Sequence, residues 1–293
     1  MRKFVLIILL LSSAVYGQNT KPMPGEMIDW GHPLSKGLVG CWLFNEGTGN
    51  KIFDLSGNEN RGTFQNDPIW SAGISGSCIE FDGINDYITV PDDASYDGHT
   101  KLTLASWVKT TETSAYIFWK GHSSPYDFQY ALDISNSKAR MVAYTSVGNV
   151  HFNASGTSNI NDDAWHFLVG TVEANKEAKI YVDGILDGYD STSYSSWNYE
   201  GARDLHIGRR DGVTNYLDGL IDSPMIWKRV LTASEIALLS REPFCMFESS
   251  PGDSSLYGAV SQSSSPNGQV ILIQMGTIPL FLLGFCILIK KRK

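Results

Sequence analysis

Four cysteines in 293 residues are few, and none stands in a C-x-x-C pair. The spacing of a structural zinc site is therefore missing. The six histidines include no H-E-x-x-H, and no G-x-S-x-G is present, so neither the zinc-protease nor the nucleophile-elbow pattern is available. Positive charge is also short. Lys and Arg total 23 against 31 Asp and Glu, a net charge of -8. Six of the basic residues lie in the first 17 or last four positions. That leaves 17 basic against 31 acidic residues, or -14, between Gln18 and Ile289. A surface of this sign repels nucleic acid, whose binding needs a basic patch. No internal repeat recurs at a fixed period. The longest apolar stretches lie at the two ends.

The first end has Arg2 and Lys3, an apolar run from Phe4 to Leu11, then small residues to Gly17. This is the order of a secretory signal, expected to be cleaved after Gly17, and the run is too short to span a bilayer. The second end, 270–289, carries no charge over a length that matches the bilayer core, and KKRK follows at 290–293. Basic residues stay cytoplasmic, so a single transmembrane helix with a basic tail is expected. The two ends together predict a type I membrane protein of the cell surface. Residues 18–36 read as a Pro-containing leader, 37–247 as one globular domain, and 248–269 as a Ser/Gly/Pro-rich stalk. Cys286 falls in the span, leaving three cysteines outside it. At most one intrachain disulfide is then possible. Cys41 with Cys78 is the first choice, since both lie in strand-like segments of one domain, and buried free thiols are the alternative.

The domain is a series of short strand patterns broken by turn residues. LVGCWLF (38–44), CIEF (78–81), YITV (87–90), LTLASWVKT (102–110), YIFWK (116–120), YALDI (130–134), ARMVAYT (139–145), WHFLVGTVE (165–173), AKIYVDG (178–184), LHIG (205–208) and LIDSPMIWKRV (220–230) are the main ones. In LTLASWV, Leu102, Leu104, Ser106 and Val108 share one face; Thr103, Ala105 and Trp107 share the other. Strands of this length and spacing predict an all-β, two-sheet antiparallel sandwich. One short C-terminal helix is expected after Leu231, with Thr232 and Glu235 forming a capping box.

Several stretches together resemble the laminin-G-like jelly-roll family of the concanavalin A-like lectin/glucanase superfamily. GLVGCWLFNEGTGNKIFDLSGNENRGTF is similar to its first strand and following turn. FDGINDYITV resembles its F-D-G-x-x-D-Y signature. LTLASWVKT and DDAWHFLVGTVEANKEAKIYVDGILDG resemble its central hairpins, and LDGLIDSPMIWKRVLTASEIALL its closing strand and helix. The resemblance covers about 37–242. It implies two curved antiparallel sheets and a glycan-binding or adhesion module.

Catalysis is not expected. Laminarinase-type relatives place three carboxylates in E-x-D-x-x-E on one strand. The nearest match, EFDGIN, offers Glu80 and Asp82 but has Asn85 where the second glutamate belongs. Asn85 cannot act as a general acid. Asp82 then has two readings, an Asx-type turn with Gly83 or a ligand to structural calcium. Related domains hold calcium near strand ends, and the candidate ligands here are Glu46, Asp54, Asp82 and Asp222. Asp86 is expected to cap the turn or face solvent. Trp42, Trp107, Trp165 and Trp227 lie in apolar strands and are assigned to the core. Trp119, Tyr126, Tyr130, Trp197 and Tyr199 lie in or beside polar loops and are the candidate ligand-binding aromatics. The functional expectation is a membrane-anchored, non-catalytic carbohydrate-binding protein. The alternative partner is a surface protein, and a divergent glycoside hydrolase comes third.

Overall fold

The computed structural model describes residues 20–248, apart from 24, 98, 122–127, 145–150, 193, 195–201, 211, 213 and 214. The proposed signal, all of the stalk beyond Glu248, and the apolar segment 270–289 lie outside the described residues. Among the described residues, no helix is long and apolar enough to cross a membrane.

The strands are β1 (Leu38–Cys41), β2 (Lys51–Ile52), β3 (Gly62–Gln65), β4 (Ile69–Ala72), β5 (Ser77–Asp82), β6 (Tyr87–Val90), β7 (Lys101–Thr110) and β8 (Ser114–Gly121). They continue as β9 (Phe128–Ser135), β10 (Lys138–Tyr144), β11 (His151–Ser155), β12 (His166–Glu173), β13 (Glu177–Val182), β14 (Ile185–Asp190), β15 (Leu205–Ile207) and β16 (Asp218–Trp227). One helix, α1 (Ala233–Arg241), follows. The first sheet runs β14-β13-β12-β7-β16-β5-β4, with β1 also on β16; the second runs β11-β10-β9-β8-β15-β6-β3-β2. All pairings are antiparallel. The result is the expected two-sheet sandwich.

Alternation along each strand sends one set of side chains between the sheets. Leu102, Leu104 and Val108 of β7 join that central core with Trp42, Phe81, Phe118 and Ile226. The opposite face of β7 is buried too. Ala105 and Trp107 pack in a second cluster with Leu34, Phe167, Trp227, Ile236, Leu239 and Phe244. This outer cluster is roofed by α1 and by the segments before β1 and after α1. The helix starts where the sequence indicates. The Thr232 hydroxyl accepts from the Glu235 N–H at 3.2 Å, and the Glu235 carboxylate accepts from the Thr232 N–H at 2.8 Å. Of the four core tryptophans, Trp42, Trp107 and Trp227 are buried. Trp165 is only half-buried, at the margin of the outer cluster.

The described part of the leader packs against the domain. Ile28 bridges Phe247, the Trp227 indole donates to the Leu34 carbonyl at 2.7 Å, and the Lys21 ammonium lies 2.5 Å from the buried Asp222 carboxylate. Its low apolar content concealed this, because it docks largely through polar and backbone contacts. The Cys41–Cys78 disulfide is corrected in favour of its alternative: both are buried free thiols. They lie on strands that share one edge of β16. Cys41 pairs with Met225, while the β5 register runs through Ile79 opposite Ile221. That offset of about three residues, roughly 10 Å, exceeds the reach of a disulfide.

The β12–β13 hairpin carries a pH-sensitive contact. His166 Nδ1 is 2.9 Å from Asp183 and its Nε2 3.1 Å from Asp162. Partial burial works against the imidazolium, but the two carboxylates outweigh it and raise the pKa above the ordinary histidine value. A raised folded-state pKa stabilises the fold below the unfolded value of about 6.5 and loses that effect as pH rises through the folded value. Denaturant melts of wild type and His166→Gln are therefore expected to differ most near pH 5 and to converge above pH 8. A difference independent of pH would remove the charge from this explanation.

Candidate functional site

The register of the second sheet places side chains in transverse rows. Phe64, Ile88, Ile207, Phe118, Leu132, Met141 and Ala154 are successive cross-strand partners. All seven lie in the central core. One residue along each strand, the row is Thr63, Thr89, His206, Trp119, Ala131, Val142 and Asn153, and it lies on the opposite face. The outward face thus alternates polar and aromatic groups with a small apolar centre, where Trp119, Ala131 and Val142 form a separate cluster.

Two arginines from the turn after β15 lie on this face. The Arg209 guanidinium sits 3.6 Å over the Tyr87 ring, and Arg210 sits 4.7 Å over Trp119. His206 meets Tyr87 edge to face at 5.5 Å, and Tyr116 meets Trp119 likewise at 5.3 Å. Farther along, Arg140 holds Asp133 with two bonds of 2.8 and 2.6 Å. Burial nevertheless pushes the Asp133 carboxyl upward. Over β3, β6 and β15 the face opens into a pocket of about 500 Å³. Gln65, Tyr87, Thr89, Gly121, Ala202, Arg203, Asp204, His206 and Arg209 line it. The pocket is open and mainly polar, with one phenol ring, Tyr87, beside convergent hydroxyl, imidazole and guanidinium groups.

The segment carrying Arg203 and Asp204 is fixed from beneath. Lys120 occupies an inward row between Leu205 and Tyr130 and has no exposed side-chain surface. Its ammonium lies 2.7 Å from Asp92 and 3.0 Å from Asp97, and donates to the Arg203 carbonyl at 2.5 Å. The Asp92 N–H donates to the Asp204 carboxylate at 3.0 Å. Burial pushes both Asp92 and Asp97 upward. At Asp92 the lysine outweighs it and the net direction is down; at Asp97 burial wins.

The sequence-derived aromatics fare unevenly. Trp119 does lie on the outward face, though it is covered to 2% exposure. Tyr130 is corrected. Register turns it inward, where its hydroxyl donates to the Tyr96 carbonyl at 3.2 Å. Tyr126, Trp197 and Tyr199 lie outside the described residues. Tyr87, Thr89, His206, Arg203 and Arg209 were missed. Their signal was present as polar residues alternating with Ile88, Val90, Leu205 and Ile207, and as the arginine pair in the turn after LHIG.

The acidic candidates do not converge. Among the described residues, no group of three His, Cys, Asp or Glu side chains is placed to hold a metal ion. Each is engaged locally. Asp54 accepts from the N–H groups of Cys41, Ser56 and Asn60. Glu46 accepts from Phe53 N–H at 2.7 Å, and Asp222 pairs with Lys21. Asp82 accepts from the N–H groups of Ile84, Asn85 and Asp86 at 2.8, 3.0 and 3.2 Å, which is the Asx-type turn. The small burial cost is outweighed by these donors, and its pKa is lowered. Asp86 does not face solvent; it is buried and accepts from the Asp67 N–H at 3.0 Å.

Comparison with known proteins follows the same lines. No curated protein matches the chain. Among solved structures, the binding domain of Paraclostridial Mosquitocidal Protein 1 is similar at 16% identity and a TM-score of 0.58, over 72% of this chain and 53% of that one. Domain 4 of AbnA, an extracellular arabinanase of Geobacillus stearothermophilus in complex with arabinotriose, is similar at 18% identity and a TM-score of 0.55, over 69% and 98%. The binding domain of botulinum neurotoxin DC in complex with SialylT is similar at 11% identity and a TM-score of 0.54, over 71% and 52%. The chain thus spans about half the length of the toxin domains. At these identities the likeness is one of fold. Residues 82–237, more than half of the chain, match the laminin G family described as the concanavalin A-like lectin/glucanases superfamily, and the chain belongs to that family.

Proposed function

We propose that this protein binds carbohydrate, without catalysis, on the outward face of its second sheet. The observation that carries the reading is the pocket on that face, where Tyr87, Thr89, His206, Arg203 and Arg209 converge. Sugars offer apolar ring faces to aromatic groups and hydroxyls to amides, imidazoles and guanidiniums. Two structurally similar domains support the reading, since one was solved with arabinotriose and another with SialylT. The signal-like start and the apolar segment 270–289 support display at the cell surface on a membrane anchor.

A protein partner is the second reading, favoured by the edge strand β14, where Ile185, Leu186 and Tyr189 are exposed. Screening the full-length protein on a glycan array separates the two. Wild type is expected to bind, and Tyr87→Ala with His206→Ala to lose about 10-fold or more in affinity. An array empty for folded protein would overturn the carbohydrate reading and favour the β14 edge.

A further inference from the structure

We propose that the pocket over β3, β6 and β15 selects a carboxylate-bearing sugar, a uronate or a sialate, and that Arg203 and Arg209 recognise the carboxylate. This rests on the carbohydrate-binding reading above and adds the ligand's charge. The chain between Gln18 and Ile289 carries -14, yet the pocket lining holds two arginines and one aspartate. Within that lining the arginines outnumber the one aspartate. Three of the seven arginines between those positions, Arg203, Arg209 and Arg210, fall within eight residues. A neutral sugar would need no such concentration of guanidinium groups in an otherwise acidic surface. Guanidinium presents donors in a rigid fork that fits a carboxylate two-to-two, which an ammonium cannot do.

The arrangement is also preorganised, which limits the ordering cost of binding. Arg209 is held against the Tyr87 ring at 3.6 Å. The Arg203 backbone is held by the buried Lys120 ammonium. The one acidic lining group, Asp204, is engaged by the Asp92 N–H at 3.0 Å. Gln65 and Thr89 lie beside these cations to receive the rest of the sugar.

Binding of the full-length protein to trigalacturonate and to sialyllactose, each beside its carboxyl-reduced counterpart, tests this. For at least one acid, affinity is expected to exceed that of its reduced partner by about 10- to 100-fold, as a charge-assisted hydrogen bond implies. Which of the two shows the gap distinguishes uronate from sialate. Arg203→Gln with Arg209→Gln should close the gap, and Arg209→Lys should narrow it while retaining the charge. Near-UV circular dichroism confirms that each variant is folded. Equal binding of acids and reduced partners, or binding of neutral glycans alone, overturns the acidic-sugar proposal and leaves carbohydrate binding intact. Failure of the folded wild type to bind any glycan overturns both.

Discussion

Replacing Lys120 with Met is expected to destabilise the protein by about 3–5 kcal/mol, the usual cost of removing one partner of a buried ion pair. Lys120 has no exposed side-chain surface and Asp97 only 3%, so water cannot take over the charge that is left. The nearer Asp97 oxygen is 3.0 Å from the ammonium, but both Asp97 oxygens lack a hydrogen bond. Methionine would leave Asp97 without its counter-charge. It would also release the Arg203 carbonyl, and with it the segment that lines the pocket. Thermal unfolding should show a midpoint drop of roughly 6–20 °C for a domain of this size. Sugar affinity should fall in the same variant well below its melting range. A drop under about 1 kcal/mol would mean that solvent reaches the cluster.

Lys21→Met is expected to have an effect of similar size, about 3–5 kcal/mol at neutral pH. The variant leaves the Asp222 carboxylate, which has no exposed surface, without its counter-charge. The Ile74 N–H and Ser223 hydroxyl remain as donors. Burial already pushes the Asp222 carboxyl upward against the pull of Lys21. Without the lysine it rises further. A carboxyl whose folded pKa is raised favours the fold below its unfolded value of about 3.9 and loses that contribution as pH rises through the folded value. The penalty in Lys21→Met should therefore shrink as the solution is acidified. Adding Asp222→Asn, which removes the charge and keeps an acceptor for Ile74 N–H, should recover most of the loss. Urea melts of the two variants at two pH values test both points. A full-sized penalty that ignores pH and the second substitution would assign the loss to packing of the Lys21 stem instead.

The architecture was legible because the domain obeys simple periodicities. YITV, LTLASWVKT and LHIG alternate as strands do, and they became β6, β7 and β15 with little change in their ends. The helix was legible from Thr232 and Glu235 alone. The weaker strands were not. β2 has two residues, and β14, with ILDGYD, exposes much of its apolar content at a sheet edge. Nothing in such segments demands burial, so no pattern marks them. The docking of the leader is hidden in the sequence for a related reason. Its anchors are a lysine, a carbonyl and scattered apolar residues whose partners lie some two hundred positions away.

The candidate site was half legible. Trp119 lies on the outward face but is covered, and Asp82 makes the turn that was one of its two readings. Tyr130 failed because whether a strand aromatic faces in or out depends on register with neighbours, and the bulges in the β8–β9 pairing are invisible in one sequence. Among the described residues the acidic candidates do not converge, for a different reason. Aspartates at turns satisfy backbone N–H groups first, and Asp54 and Asp82 do so here. The pocket itself is assembled from four strands that are separated in the chain, so its polar residues were visible singly and their convergence was not.

Hydrogen–deuterium exchange of the full-length protein, with and without a glycan that it binds, tests the central claim most directly. Protection is predicted in peptides covering Tyr87–Val90, Lys120–Gly121 and Arg203–Arg209, the parts that frame the pocket. Protection confined to the Asp82 turn, or to Ile185–Asp190 at the far edge of the first sheet, would contradict the account and move the site elsewhere.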